Sequence, residues 1–404
     1  MQIKSVAEAD VKDKVVLVRT DYNVPIEFGK IADNTRILDS IENSKYILEK
    51  GAKKVVIVSH IGRPGGVVVE DLKMKIVAEE LDRYLGEDVE YISKPVTEVT
   101  KKDITACHRK VILLENIRFE FGEEKGEEKL AIKLSKLADM FVLDGFSVAH
   151  REHASVTKVA QILPSYGGIG LIKEKQKIDD FLGNIRKPFW GFFGGVKLSD
   201  KIPVIKALST KLDGVVFGSS VAVAFLKRYG FEIGDSVVSE DSNQAVDSFL
   251  EFLDKLKINV VYPEDLIVAD INKQEIKSVI NIDINQVLSG KIKPFSICES
   301  SEAVYDVGEK SLEKYRSIIA KTGSIFWNGP FGYVELDNFA KMTELMAKSM
   351  VESKAITMVG GGDTVSFVKK YELEDKFKYV STSGGAMMEY IAFGSLPGLD
   401  VLKI

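Results

Sequence analysis

The sequence has few of the residues that build disulfide frameworks and metal centres. Its 404 residues include two cysteines and four histidines, and Cys107 and Cys298 do not have the spacing of metal ligands. No apolar run approaches the ~18 residues that a membrane span requires. We therefore expect a soluble cytoplasmic protein with neither a disulfide framework nor a zinc site. At roughly 100 to 200 residues per domain, the length predicts two or three domains.

An excess of positive charge is also missing. The chain has 60 acidic and 55 basic residues and a net charge of −5, so no overall basic field attracts nucleic acid or an anionic membrane. Any affinity for anions must come from a local cluster. The chain has no G-x-x-x-x-G-K-[ST] phosphate loop, no G-x-G-x-x-G fingerprint and no G-x-S-x-G elbow. These absences argue against P-loop kinases, dinucleotide enzymes and serine hydrolases.

What the chain does have is an alternation of short β-branched runs with longer segments of helical spacing, which predicts βαβ units around parallel sheets. We predict strands at residues 14–20, 53–59, 110–114, 140–143, 189–193, 214–217, 324–327 and 355–359. Their continuous apolar character predicts burial on both faces. The charged, helically spaced segment 171–185 predicts a connecting helix. The predicted fold class is α/β, with two doubly wound, Rossmann-like parallel-sheet domains joined by a helix and hinge.

The loops that follow the strands of the first half are rich in arginine. The chain has ten arginines, and five of them fall in these loops. The polar residues in question are Arg19, Asp21, Asn23, Arg36, His60, Arg63, Arg118, His150 and Arg151. Ligands of open parallel sheets bind at the carboxyl ends of the strands, and arginine is a permanently charged, bidentate donor. We predict a pocket for a small phosphorylated carboxylate.

Each of these arginines has an ordinary alternative, which is to pair with a nearby carboxylate or to close a helix end. For five arginines in corresponding loops we favour the pocket. Arg19 lies inside an apolar run and is expected to be a structural ion-pair partner. Asp21 and Asn23 are available for a substrate hydroxyl or for orienting guanidinium groups. His108 and His153 are expected on the surface.

Glycine-rich segments follow the strands of the second half, at residues 192–201, 327–330, 360–364 and 381–385. The first of them brings backbone N–H groups, a helix start, Lys197 and Lys201 together, which suits phosphate. Asp363 suits a magnesium–nucleotide complex, because Mg²⁺ prefers one or two carboxylates plus phosphate oxygens and water; the alternative is a helix N-cap. Four such loops favour a nucleotide site, and phosphoryl transfer is the inferred chemistry.

Nine segments, in order, closely resemble those of the phosphoglycerate kinase family. They are LVRTDYNVP, DNTRI, SHIGRP, LLENIRF, FSVAHREHAS, GGVKLSDKI, WNGPFGYVE, GGGDT and STSGGAMMEY. FSVAHR and the short chain resemble the archaeal branch. The resemblance implies reversible, Mg²⁺-dependent phosphoryl transfer from 1,3-bisphosphoglycerate to ADP, giving 3-phosphoglycerate and ATP in glycolysis and gluconeogenesis. It also implies hinge closure with direct in-line transfer, and a monomer, with a dimer as the alternative.

The resemblance assigns roles and boundaries. The residues that would hold phosphoglycerate are Asp21, Asn23, Arg36, His60, Arg63, Arg118 and Arg151. The nucleotide-binding residues would be Gly194, Gly195, Lys197, Lys201, Asn328, Glu335, Gly360, Gly361, Gly362, Asp363 and Thr364, with Asp363 as the metal ligand. Arg36, Lys197 and Lys201 would be catalytic. The phosphoglycerate domain would comprise residues 1–170 with about 391–404, the connecting helix 171–185 and the nucleotide domain 186–390.

Some positions depart from the family pattern. Ser219, Ser220 and Ser383 stand where glycines are usual, which leaves nucleotide affinity and the preference for ATP or GTP open. One alternative is a kinase for another acyl phosphate, against which the arginine and histidine set argues. Another is a catalytically silent nucleotide-binding protein on the same fold. Retention of both lysines and Asp363 speaks against it, and ADP binding without turnover would favour it.

Overall fold

The two halves of the sequence each build a unit around a parallel sheet, in a computed structural model that describes residues 2–404 apart from 254, 256, 257, 273 and 274. One unit is Met1–Gln176 with Gly394–Ile404, and the other is Lys177–Phe393. No helix in the described part of the chain is long and apolar enough to cross a membrane. The predicted α/β class is confirmed, whereas the assignment of one substrate to each domain stays a prediction.

The first unit has a six-stranded parallel sheet in the order β5-β6-β4-β1-β7-β8. The strands of this unit are β1 (Val15–Arg19), β2 (Ile26–Glu27), β3 (Lys30–Ile31), β4 (Lys54–Val58), β5 (Val89–Ile92), β6 (Val111–Leu114), β7 (Met140–Leu143) and β8 (Ser165–Gly167). Its helices are α1 (Thr35–Glu49), α2 (Lys75–Leu85), α3 (Lys101–Ala106), α4 (Glu128–Ser135) and α5 (Ile169–Gly183). Helix α5 continues into the second unit. The short β2 and β3 form a separate hairpin.

Strand β1 lies between β4 and β7. The chain leaves β1 for β4 on one side and returns much later to β7 on the other side. The crevice beyond the carboxyl ends of such strands is the usual ligand site of a doubly wound sheet. Every residue of β1, β4, β6 and β7 is buried, so these strands form a rigid base for the arginine-bearing loops that follow them.

The second unit repeats this plan with a sheet in the order β12-β10-β9-β17-β18-β19. The strands are β9 (Phe189–Phe193), β10 (Gly214–Phe217), β11 (Glu232–Ile233), β12 (Asn259–Val261), β13 (Asp265–Asp270), β14 (Ile276–Asn281), β15 (Ser296–Cys298), β16 (Glu302–Val307), β17 (Ser324–Asn328), β18 (Ile356–Gly360) and β19 (Tyr379–Ser381). The helices are α6 (Ile202–Leu208), α7 (Ser219–Arg228), α8 (Ser242–Leu253), α9 (Ile284–Leu288), α10 (Glu309–Ile319), α11 (Lys341–Glu352), α12 (Gly362–Lys370) and α13 (Gly384–Phe393), and α14 (Pro397–Asp400) belongs to the first unit. The direction of strand order reverses between β9 and β17, and this places the second switch point there.

The last residues of the chain are bonded to the first unit. Gly398 N donates to Ala149 O at 2.7 Å, and Lys4 N donates to Leu402 O at 2.9 Å. A Cβ atom on Gly398 would lie 2.9 Å from the backbone of Ala149. A side chain there would therefore push the C-terminal segment away from the loop that follows β7.

Helix α5 begins against two buried side chains of the first unit. Asp144 Oδ1 accepts hydrogen bonds from Gly170 N at 2.7 Å and Leu171 N at 3.2 Å, and Asn43 Oδ1 accepts one from Ile169 N at 3.0 Å. A Cβ on Gly168 would lie 2.3 Å from Asp144 Oδ1, so the Asp144 side chain can lie this close to the backbone only because residue 168 is glycine. Burial raises the pKa of Asp144 to about 8, against the effect of the two backbone hydrogen bonds.

We expect Asp144→Asn to change how stability depends on pH. The folded Asp144 keeps its proton up to about pH 8, whereas an unfolded aspartate ionises near pH 4, so the folded state binds more protons between these values. Raising the pH through this window therefore lowers the parent's free energy of unfolding, by at most about 1.4 kcal/mol per pH unit. The amide variant keeps the accepting oxygen but has no proton to lose.

Urea unfolding of both proteins between pH 5 and 8 provides the measurement. The stability of Asp144→Asn relative to the parent should rise with pH. Asp71→Asn, at an exposed position, is the matched control and should show a constant difference. A constant difference for Asp144→Asn as well would contradict the account.

Candidate active site

Asp21, directly after β1, organises the polar side chains at this edge of the first sheet. Its Oδ2 accepts a hydrogen bond from Arg36 Nη1 at 2.7 Å and another from Ser147 Oγ. Its Oδ1 accepts from Asn23 N at 3.0 Å and lies 3.6 Å from His60 Nδ1. Burial acts to raise the pKa of Asp21, but Arg36, the Ser147 hydroxyl and the N–H of Asn23 hold it well below its usual range. Asp21 is therefore a fixed negative charge.

Gly62 is held from two sides, and this positions the loop after β4. Asn23 Oδ1 accepts a hydrogen bond from Gly62 N at 2.8 Å, and Arg118 Nη1 donates to Gly62 O at 2.6 Å. Gly62 has φ +64°, and a Cβ there would lie 2.9 Å from the Leu72 side chain. The glycine of the SHIGRP segment is therefore needed both for its backbone conformation and for its lack of a side chain.

Arg118 is a buried cation with an unused donor. Its side chain is 1% exposed, and its Nε lies 3.1 Å from Glu124 Oε1. Burial and the charge of Arg151 lower the pKa of Arg118 to about 10. Its Nη2 is buried and has no hydrogen-bond partner among the described residues. Such a donor is costly to leave unpaired, and an anion is the group that would pair with it.

Arg19 lies beneath this cluster and is fully buried. Its Nε donates to Ser155 Oγ at 2.7 Å, and Ser155 Oγ donates to Glu123 Oε1 at 2.6 Å. The guanidinium therefore meets the buried Glu123 through Ser155 rather than by the direct ion pair that the sequence predicts. Burial lowers the pKa of Arg19, and the charge of Glu123 opposes that effect.

The remaining predicted residues of the first half differ in their burial and in their contacts. Arg151 Nε donates to His150 Nε2 at 3.2 Å, and Arg151 influences the pKa of both Arg19 and Arg118. Arg63 is exposed, and no hydrogen bond joins its side chain to the others within the described ranges. The prediction that His153 is a surface residue is wrong, because it is buried with Nδ1 3.6 Å from Glu123 Oε1.

Two glycine loops of the second unit touch each other at the carboxyl ends of β9 and β17. Gly194 N donates to Asn328 O at 2.9 Å, and Gly195 N donates to Pro330 O at 3.0 Å. A Cβ on Gly194 would lie 2.0 Å from Pro330 O, and one on Gly329, which has φ +88°, would lie 2.2 Å from Gly194 O. These contacts leave no room for a side chain at either glycine.

The loop after β18 is tied to the same place. Asn328 Nδ2 donates to Gly360 O at 2.8 Å, and the fully buried Thr364 accepts from Gly329 N at 2.8 Å through its Oγ1. Gly361 has φ +104°, and a Cβ there would lie 2.6 Å from Asn328 Nδ2. Thr364 thus fixes the neighbouring loop, a role that its place in GGGDT does not reveal.

These loops line two cavities of the second unit. The first, of about 710 Å³, contains Lys197, Lys201, Asn328 and Asp363 in its walls. The second, of about 410 Å³, is lined by apolar side chains together with Ser219, Ser220, Asp235, Tyr305, Tyr333 and Glu335. Gly195, Val196 and Asp363 line both cavities, so Asp363 stands where the two meet.

The two lysines of the first cavity differ in environment. Lys197 is exposed, whereas Lys201 is 8% exposed. Burial lowers the pKa of Lys201, while Asp200 and Asp363 act to raise it and Lys197 acts to lower it. Lys201 is thus a buried cation that Asp363 influences, and Lys197 is an exposed charge in the wall of the same cavity.

The three serines that replace family glycines differ in their surroundings. Ser219 Oγ donates to Phe331 O at 2.7 Å, so its hydroxyl is used within the fold. Ser219 and Ser220 both line the second cavity, and Ser383 is buried. Sequence reasoning missed the aromatic wall of that cavity, where Tyr305 and Tyr333 pack edge to face at 5.7 Å. It also missed Ser147, although this residue lies in the FSVAHREHAS segment that resembles the family.

Comparison with known proteins identifies the family. The family model described as phosphoglycerate kinase matches residues 6–393. A phosphoglycerate kinase of Borreliella burgdorferi (strain ZS7) is 39% identical over 406 residues, covering 100% of both chains. One from Dictyoglomus turgidum is 38% identical over 403 residues, covering 99% of this chain and 98% of the relative. These relatives are bacterial and do not support the predicted likeness to the archaeal branch.

Solved structures that resemble this chain are also phosphoglycerate kinases. The structure of phosphoglycerate kinase from Coxiella burnetii matches with a TM-score of 0.79 and 32% identity, covering 99% of each chain. The crystal structure of phosphoglycerate kinase from Pyrococcus horikoshii OT3 matches with a TM-score of 0.80 and 28% identity, covering 99% of this chain and 98% of that one. The chain therefore belongs to the phosphoglycerate kinase family.

Proposed function

We propose that this protein transfers a phosphoryl group reversibly between 1,3-bisphosphoglycerate and ADP, with 3-phosphoglycerate and Mg²⁺–ATP as the products. The observation that carries the proposal is the unpaired, buried Nη2 of Arg118 within an arginine cluster, in a chain of this family. A donor of this kind calls for an anionic ligand. The relatives' shared name favours a kinase over a silent nucleotide-binding protein.

On the first unit, phosphoglycerate is proposed to bind the residues that surround Asp21. Arg36 is held by Asp21 at 2.7 Å and offers its remaining donors to the substrate. His60, Arg118 and Arg151 would contact the phosphate or carboxylate, and Asp21 and Asn23 the hydroxyl. Arg63 would join only when the ligand is bound, because its side chain is exposed.

On the second unit, the nucleotide is proposed to occupy both cavities. Its base and ribose would fill the 410 Å³ cavity, with Glu335 at the ribose. Its phosphates would lie in the 710 Å³ cavity, against the backbone of Gly194, Gly195 and the loop 360–362. Lys197 and Lys201 would bind the phosphates, and Asn328 and Thr364 hold the loops that cradle them.

Asp363 is the proposed metal ligand. It is exposed, lies in the first turn of α12 and faces both cavities. No cluster of three or more ligating side chains exists among the described residues. A single carboxylate fits Mg²⁺ that arrives on a nucleotide, because Mg²⁺ keeps several waters and phosphate oxygens as ligands. When bound, the ion would neutralise charge on the phosphate oxygens.

The chemistry requires fixed charge more than proton transfer. The transferred phosphoryl group has a loose transition state with charge on its equatorial oxygens. Arg36 and Lys197 are the proposed donors of positive charge to those oxygens, assisted by Lys201. Because reacting atoms must approach to about 3 to 3.5 Å, transfer requires the two substrate-loaded units to close and to exclude water.

The function is tested by Mg²⁺- and ATP-dependent phosphorylation of 3-phosphoglycerate, coupled to NADH oxidation through glyceraldehyde-3-phosphate dehydrogenase. We expect turnover that requires both Mg²⁺ and 3-phosphoglycerate. Absence of turnover, with ADP binding still measurable by calorimetry, would contradict the proposal and favour the silent nucleotide-binding protein.

Lys197→Ala is expected to lower kcat by at least about 100-fold, as removal of a charge that acts on the transition state does. The Kd for ADP, measured by calorimetry, should change far less, because Lys201 and the glycine backbone remain. Lys227→Ala, an exposed lysine at the end of α7, is the matched control and should leave both values unchanged. Equal losses in ADP binding with kcat preserved would refute the role of Lys197.

A further inference from the structure

The ring of His60 is in contact with a guanidinium that lies outside the proposed substrate set. Arg19 Nη2 lies 3.3 Å from His60 Nδ1. Both residues are buried, Arg19 at 0% and His60 at 2% exposure. Which of the two ring nitrogens carries the proton therefore depends on this contact.

Arginine has five N–H donors and no acceptor. A proton on His60 Nδ1 would set two donors against each other at 3.3 Å, whereas a bare Nδ1 accepts a hydrogen bond from Arg19. The competing arrangement is a proton on Nδ1 that faces Asp21. Asp21 Oδ1 is 3.6 Å from Nδ1, beyond hydrogen-bond distance, and already accepts from Asn23 N.

The guanidinium cannot easily turn away from the ring. Its Nε donates to Ser155 Oγ at 2.7 Å, and its Nη1 donates to Thr20 O. Ser155 is held in turn by Glu123, which accepts from Ser155 Oγ at 2.6 Å and from Ser155 N at 2.9 Å. Nη2 is therefore the Arg19 nitrogen that can donate a hydrogen bond to His60 Nδ1.

The charges around the ring favour its neutral form. Burial is the largest influence and lowers the pKa of His60 well below its usual value. Asp21, from the loop after β1, acts in the opposite direction. Arg19, Arg118 and Arg151, from β1 and the segments after β6 and β7, add to the effect of burial.

The second ring nitrogen is not sealed inside the protein. Among the described residues Nε2 of His60 has no hydrogen-bond partner, and this atom is not fully buried. It therefore keeps access to solvent. A proton on Nε2 would be available to a ligand.

We propose that Arg19 is a positioning residue that fixes His60 as a neutral ring with its proton on Nε2, so that His60 donates a hydrogen bond to a bound anion. The state of the ring stands on the contacts above, and only the identity of the anion rests on the proposed function. His60 then contributes a neutral donor, while the arginines contribute the positive charge. Binding of phosphoglycerate should consequently not weaken through titration of His60 between pH 6 and 8.

Nuclear magnetic resonance of the full chain reads the ring directly. Selective ¹⁵N labelling gives signals from only four histidines, and His60→Gln identifies the signal of interest. Long-range ¹H–¹⁵N spectra distinguish a proton on Nδ1, a proton on Nε2 and a doubly protonated ring. We expect a neutral ring protonated on Nε2 at pH 7. A proton on Nδ1 in the parent protein would overturn the proposal, whatever the activity.

Arg19→Met removes the donor while keeping an unbranched side chain. The pKa of His60 should rise by at least one unit, a tenfold change in proton affinity, and the preference for Nε2 should be lost. Arg19→Lys keeps the charge and should keep the neutral ring. Arg83→Met, whose side chain is 69% exposed, is the control and should leave the His60 spectrum unchanged.

A purely structural role for Arg19 predicts a different outcome. Arg19→Met would then lose stability but show the parent's His60 spectrum in its folded fraction, and this would overturn the proposal. If Arg19→Met does not fold, the parent spectrum and that of Ser155→Ala, which loosens Arg19, decide the question. In Ser155→Ala we expect a smaller rise of the His60 pKa in the same direction. The KM for phosphoglycerate should become pH-dependent near pH 6 to 7 in Arg19→Met but not in Arg19→Lys.

Discussion

The first unit depends on holding several positive charges at one edge of a sheet without their mutual repulsion forcing them apart. Two buried carboxylates make this possible. Asp21 binds Arg36 at 2.7 Å on the side of the pocket, and Glu123 reaches Arg19 through Ser155 on the side of the core. They neutralise only part of the positive charge. The remainder, including a buried donor of Arg118 without a partner, is what an anionic substrate would complete.

In the second unit the proposed anion site is built mainly from glycine backbone rather than from charged side chains. The contact between Gly194 and Gly329 brings two loops within hydrogen-bond distance, and the buried Lys201 lines the same cavity as Gly195 and Gly329. Both units place these groups at the point where strand order reverses, because there two loops diverge and leave a crevice. The same sheet topology thus supports a charged pocket in one unit and a glycine cradle in the other.

The central strands could be predicted from sequence because their residues are buried on both faces and therefore continuously apolar. All eight predicted strands form within one residue of their expected ends. The edge strand β5 (Val89–Ile92) was not predicted, because it is largely half-buried and so lacks that signal. The polar residues in the strand-end loops could be selected because ligands of open parallel sheets bind at the carboxyl ends of the strands, and their roles stay predictions. Ser147, Glu123 and the burial of His153 were not found, because their contacts join segments far apart in sequence and leave no local pattern.

The most direct test of this account is calorimetric titration of 3-phosphoglycerate into the parent and Asp21→Asn. Simple electrostatics says that removing a negative charge from an anion site strengthens binding. The account predicts the opposite, a loss of at least about tenfold in affinity, because Asp21 holds Arg36 and the Ser147 hydroxyl in place by charge-assisted hydrogen bonds. Equal or tighter binding by a folded Asp21→Asn would contradict it.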